Sequence, residues 1–112
     1  MGAGFVRIST DASFERDVLC SGRLVLVVFG ASWCGPCRLM APGLRVLAAN
    51  QKDRLMVTKL DVDANPATAD LFEVETFPTC ILFKAGKEIE RLDGYMPLRK
   101  IETTLRPYLD AF

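Results

Sequence analysis

Leu24-Val25-Leu26-Val27-Val28-Phe29-Gly30-Ala31-Ser32-Trp33-Cys34-Gly35-Pro36-Cys37 is the stretch whose reading decides the fold. Residues 24–29 are apolar without a break, the pattern of a strand buried on both faces. From about Cys34 to Asn50, Leu39, Met40, Gly43, Leu44, Leu47 and Ala48 recur at helical spacing. A strand therefore delivers the first cysteine to a helix N-terminus, where backbone N–H groups lack partners and the dipole favours an anion. A thiolate is such an anion, and it is the attacking species in disulfide exchange. Two intervening residues place both sulfurs at one helix end, within bonding reach.

Working outward, residues 5–8 read as a short strand. Ser9-Thr10-Asp11 offers caps for a helix running to about Cys20, with Phe14, Val18 and Leu19 inward and Ser21-Gly22 ending it. Pro42 lies inside the CxxC helix and should kink it. Residues 55–60 form the next strand. Asn65-Pro66 reads as cap and first residue of a short helix to about Phe72. Residues 79–83 and 88–92 pair as a hairpin across Lys84-Ala85-Gly86-Lys87, and Gly94 breaks the second strand. Leu98, Ile101, Leu105 and Leu109 mark a final amphipathic helix, with Pro107 near its end. This order predicts an α/β fold with a mixed sheet and helices on both faces.

The 112 residues suit one domain, 1–112, and half of them are hydrophobic, enough for a core without stapling disulfides. Fourteen basic and fourteen acidic residues cancel, so no field points to nucleic acid or an anionic membrane. Histidine is absent, which removes the commonest general base and metal ligand. The opening Met1-Gly2-Ala3-Gly4-Phe5-Val6-Arg7 lacks a basic region followed by a long apolar stretch, so no secretory leader is expected. Met1-Gly2 begins like a myristoylation site, but Val6 stands where Ser or Thr is needed. No apolar run is long enough to span a bilayer. A cytoplasmic monomer is the expectation, and a CxxC in that setting reads as redox-active. A zinc site would need two more thiolates, and Cys20 and Cys80 form no second CxxC, so no metal is expected.

The chain resembles the thioredoxin family over nearly its whole length. The resemblance rests on Trp33-Cys34-Gly35-Pro36-Cys37, Pro42, Lys59-Leu60-Asp61-Val62-Asp63, Phe77-Pro78-Thr79, Gly86 and Gly94. It implies the thioredoxin fold, a five-stranded mixed central sheet flanked by four helices, and protein-disulfide reduction or isomerisation. Cys34 would be the nucleophile and the more exposed thiol, and Cys37 the resolving thiol, with no cofactor beyond their own disulfide. Gly35 and Pro36 would stiffen the turn and tune the pair. Pro78 resembles the family's cis-proline, and Trp33, Phe77, Pro78 and Gly94, with Gly35 and Pro36, match its apolar docking surface. Implied partners are disulfide-containing proteins and a thioredoxin reductase or other dithiol donor.

The departures mark the chain as atypical. Val28 stands where most of the family carries a buried aspartate thought to accept the proton of the resolving cysteine. Lys59, the usual neighbour of that aspartate, should then snorkel outward or pair with an acid such as Asp61. Gly30 replaces a bulky aromatic, while Asp93 and Tyr95 put a charge and a ring at the docking rim. Cys80 reads as a small core hydrophobe. Cys20, near a helix end, is a candidate secondary redox site. The alternative to a reductase is a binding or chaperone module of the same fold whose surface matters more than its thiols.

Overall fold

The computed structural model describes residues 4–111, so the Met1-Gly2 opening lies outside it. The central strand β2 (Leu24–Gly30) feeds two cores, as its unbroken apolar run requires. Leu24, Leu26 and Val28 enter one, and Val25, Val27 and Phe29 the other. On one side β2 pairs in parallel with β3 (Leu55–Asp61), and on the other antiparallel with β4 (Thr79–Lys84). Two residues, β1 (Arg7–Ile8), extend the sheet beyond β3, and β5 (Lys87–Asp93) closes it beyond β4. The strand order is β1-β3-β2-β4-β5. The β4–β5 turn needs only Ala85 and Gly86, at φ of 52° and 78°, the left-handed pair that a two-residue hairpin demands.

Four helices cover the sheet, two on each face. Met40, Leu44 and Leu47 of α2 (Gly35–Asn50) pack with Ile101, Leu105 and Leu109 of α4 (Leu98–Asp110) on the Val28 face. Helix α2 runs unbroken past Pro42, and α4 past Pro107. The opposite face carries Val18 of α1 (Glu15–Leu19) and Ala69 of α3 (Pro66–Leu71). There Phe14, Phe72 and Phe83 form an aromatic triangle with ring centroids 5.1–5.7 Å apart. From β5, Arg91 holds Glu88 in a two-pronged ion pair and donates to the Phe72 carbonyl at 2.8 Å, tying the end of α3 to the hairpin.

The N-terminal third differs from the expected regular helix. Helix α1 is a single π-helical turn, in which the Cys20 amide reaches back to the Glu15 carbonyl at 2.8 Å. Thr10 and Ser13 spend their side chains on each other's backbone amides. Asp11 leaves its own helix and caps α3, accepting from the Thr68 hydroxyl at 2.6 Å and the Thr68 and Ala67 amides at 2.9 and 3.1 Å. Asn65 occupies the N-cap position of α3 but accepts from the Asp11 amide instead at 2.9 Å. The two caps are thus exchanged across 54 residues of chain. Nearby, Ser9 donates to Asp17 at 2.9 Å, so the buried Thr58 hydroxyl must be the donor in its 2.6 Å contact with Ser9.

The Thr68 hydroxyl above all, then the Thr68 and Ala67 amides, hold the Asp11 carboxyl below its ordinary 3.8 despite desolvation. A carboxyl whose folded pKa is depressed adds stability that is complete above its unfolded value. That stability is lost as pH falls through the lower folded value. Asp11→Asn should therefore lower Tm at neutral pH, and the gap from the parent should close below pH 3.8. Thermal unfolding of both forms across the acid range checks this, and a gap that does not change with pH refutes it.

Candidate active site

Four residues separate the end of β2 from the start of α2, and the last of them, Cys34, is the N-cap. The residue is extended (φ −86°, ψ 108°), and its sulfur accepts the Cys37 N–H at 3.2 Å. Cys34 and Cys37 are joined as a disulfide with Cα atoms 5.2 Å apart. Gly35 and Pro36 fill the first turn, where the N–H that proline lacks would have had no helical acceptor. When the disulfide opens, the same amide and the helix dipole remain to favour negative charge on sulfur 34.

Trp33 is not a core residue. It is 61% exposed, its indole N–H donates to Asp63 at 2.7 Å, and its ring meets Phe77 edge-on at 5.8 Å. Asp63 belongs to the quoted Lys59–Asp63 segment, but sequence reasoning assigned it no role; only the fold brings it to the indole. The Phe77–Pro78 peptide bond is cis and Pro78 is buried. Phe29 pairs with Thr79, so Pro78 lies beside the strand end from which the dithiol loop departs. The Pro78 carbonyl accepts the Gly94 N–H at 2.8 Å, and Gly94 sits at φ 85°, a conformation other residues resist. Asp93 is exposed, with its carboxylate 3.4 Å from the Thr79 hydroxyl, and Tyr95 is half-exposed beyond it.

The relative exposure of the two cysteine residues departs from expectation. Cys34 is only 4% exposed, while Cys37 is half-buried. Two features account for this. The Cys34 sulfur is turned in over the Cys37 amide, and Gly30 has no side chain to cover its neighbour. A Cβ at position 30 would stand 3.1 Å from the Cys37 sulfur. A cleft of about 330 Å³ opens there, lined by Val28, Gly30, Cys37, Ala41, Leu44 and Lys59 among others. Val28 is buried and pairs in parallel with Lys59. Of the two outcomes foreseen for Lys59, the structure has the outward one: the residue is exposed, and no ion pair among the described residues includes it. Asp61 instead accepts the Asp63 amide at 3.0 Å.

The remaining cysteines lie apart from the dithiol. Cys20 is exposed just past α1, and Cys80 is buried within β4, where burial pushes its thiol up to about 12. Among the described residues, no three His, Cys, Asp or Glu side chains gather where they could hold a metal.

A dithiol at a helix N-terminus, beside a cis-proline and on a five-stranded mixed sheet with two helices per face, defines a thiol–disulfide oxidoreductase of the thioredoxin fold. The chain belongs to the thioredoxin family, whose profile matches residues 5–107. It is 53% identical over 85 residues to a thioredoxin of Mycobacterium tuberculosis (strain ATCC 25618 / H37Rv), covering 76% of this chain and 73% of that one. To a thioredoxin of Alicyclobacillus acidocaldarius it is 44% identical over 100 residues, 89% of this chain and 94% of the other. It also matches a bifunctional thioredoxin reductase/thioredoxin of Mycobacterium leprae at 50% identity over 92 residues. That match covers 82% of this chain and only 20% of the longer protein.

Two outcomes follow from this geometry. Gly94→Ala should cost about 1–2 kcal/mol through its left-handed backbone alone, read from urea unfolding. A wild-type midpoint would mean that the turn relaxes. In the oxidised native protein, an alkylating reagent at mildly alkaline pH should label Cys20 and spare Cys80 until the chain is unfolded. Peptide mapping checks this, and early labelling of Cys80 contradicts it.

Proposed function

We propose that the protein is a protein-disulfide reductase in which Cys34 attacks and Cys37 resolves. The observation that carries the assignment is the Cys37 N–H on the Cys34 sulfur at 3.2 Å, at the positive end of a sixteen-residue helix. The Cys34 thiolate bonds to one substrate sulfur and expels the other. Cys37, once deprotonated, then bonds to Cys34 and expels the substrate sulfur still joined to it, so the dithiol is oxidised as the substrate is reduced. Attack through Cys34 requires the substrate to displace whatever covers that sulfur, which suits an extended segment docking on Trp33, Phe77, Pro78 and Gly94. Gly35 and Pro36 keep the turn compact.

Val28 offers no carboxylate to take the Cys37 proton. The cleft beside Cys37 is open to water, which supports solvent as the acceptor. A thioredoxin reductase or another dithiol donor would return the electrons. The name of the bifunctional mycobacterial relative, which joins a thioredoxin reductase to a thioredoxin, favours the former. Residues 1–112 are read as one unit and as a cytoplasmic monomer. The family match over 5–107 and the single sheet support the one unit, and among the described residues no helix is long and apolar enough to cross a membrane. Cys20, being exposed, remains the candidate secondary redox site.

Insulin reduction driven by dithiothreitol, then by a thioredoxin reductase with NADPH, tests chemistry and recognition separately. Cys34→Ser should abolish both, and retained activity would refute the assignment. Val28→Asp should destabilise the fold by about 2–3 kcal/mol by burying a carboxyl. It should nevertheless speed the resolving step at neutral pH, measured by stopped flow on one protein disulfide. Equal or slower resolution in the variant would discard the missing proton acceptor as a kinetic handicap.

A further inference from the structure

The cleft beside Cys37 lies in the gap where a side chain at position 30 would otherwise stand, and it touches one sulfur of the pair. Its lining includes Cys37 and not Cys34. Its walls are mostly aliphatic: Val28 and Leu60 from the sheet, Ala41 and Leu44 from α2. At its edge stand two cations and one acid, Arg38, Lys59 and Asp61. Arg38 donates to the Ser32 carbonyl at 2.5 Å, Asp61 accepts the Asp63 amide, and Lys59 has no ion-pair partner among the described residues. The rim therefore carries one surplus positive charge, and the unengaged cation is the one on the Val28 face of β3. An apolar slot ending on sulfur, with an unpaired ammonium at the mouth, is complementary to a short aliphatic thiolate bearing a carboxylate.

We propose that this cleft is an entry site for low-molecular-weight carboxylate-bearing thiols, through which the oxidised protein is reduced at Cys37. The inference rests on the dithiol chemistry proposed above. A small thiolate bonds to the Cys37 sulfur, and the Cys34–Cys37 bond breaks with its electron pair passing to Cys34. There the Cys37 amide already lies 3.2 Å away to receive the charge. A second small thiolate then bonds to the small molecule's sulfur in the mixed disulfide, and the pair from that broken bond returns to Cys37. Two thiols leave as one small disulfide, and the two protons they give up end on Cys34 and Cys37. Protein substrates, which dock at Trp33 and Phe77, and small reductants, which enter past Gly30, would thus meet different sulfurs of one bond.

The test uses the full chain with Cys20→Ser, oxidised, mixed with 3-mercaptopropionate, with neutral 2-mercaptoethanol and with cationic cysteamine, at matched thiolate concentration. The expected order of rates is carboxylate, neutral, cation. Ala41→Leu, which fills the slot from the helix side, should slow 3-mercaptopropionate about tenfold. Lys59→Gln, an exposed change that leaves the core untouched, should remove the preference for the carboxylate. In quenched samples, peptide mapping should find the small adduct on Cys37. A preference that survives Lys59→Gln together with a rate untouched by Ala41→Leu, or an adduct confined to Cys34, overturns the proposal. Insulin reduction by the pre-reduced wild-type chain is read alongside. Its absence means the dithiol reading itself has failed, whereas its presence with unaffected small-thiol rates means that the cleft alone has.

Discussion

The site depends on the Cys37 amide meeting the Cys34 sulfur, and that contact exists because only four residues separate the end of a strand from the start of a helix. Strand β2 is buried on both faces, so its direction is held by two cores at once. Helix α2 is held against the same sheet by Met40, Leu44 and Leu47. With both elements pinned, the loop between them has little freedom, and the cysteine that caps the helix is carried into place by packing far larger than its own hydrogen bond. Preorganised charge stabilisation is effective when the donors need not move as charge develops, and here the donor is helix backbone.

The second constraint is the bond from Gly94 to the Pro78 carbonyl. It joins the end of β5 to the start of β4 at the edge where the dithiol loop leaves the sheet. The Thr79 hydroxyl donates to the Thr76 carbonyl at 2.7 Å and steadies the same corner. On the other side, Asp63 holds the indole of Trp33, and Trp33 leans on Phe77. The exposed apolar surface beside the cysteines is therefore fixed by polar contacts at its back. This explains how a tryptophan that is mostly in solvent keeps one position.

Much of this was legible in the chain. The continuous apolar run of β2, the helical spacing after Cys37 and the Ala85-Gly86 turn are local signals, and the elements they specify formed close to where they were read. What was not legible depends on residues far apart in sequence. Asp11 looked like the cap of its own helix because capping is read locally, yet it caps α3, while Asn65 turns to the Asp11 amide. Once Asp11 is drawn away, and Thr10 and Ser13 bond to each other, α1 shortens to one π-helical turn. The link from Asp63 to Trp33 has no periodicity to betray it. The exposure of the two cysteine residues differs from the reading for a related reason: position along a helix was the guide, whereas Cys37 faces a strand position, Gly30, that has no side chain.

Gly30 and Val28 are two residues apart and point to the same face of β2, so their effects combine. Val28 offers no carboxylate within the core, and Gly30 puts no side chain against Cys37. A buried carboxylate is tolerated only with hydrogen bonds or a charge partner, and Lys59, left without one, turns to solvent. The floor under the dithiol is thus apolar at Val28, and the flank beside Cys37 is an open cleft. Proton transfer to solvent needs access but no tuned pKa, and access is what the missing side chain supplies. Together Val28 and Gly30 form a consistent alternative arrangement for the same exchange chemistry.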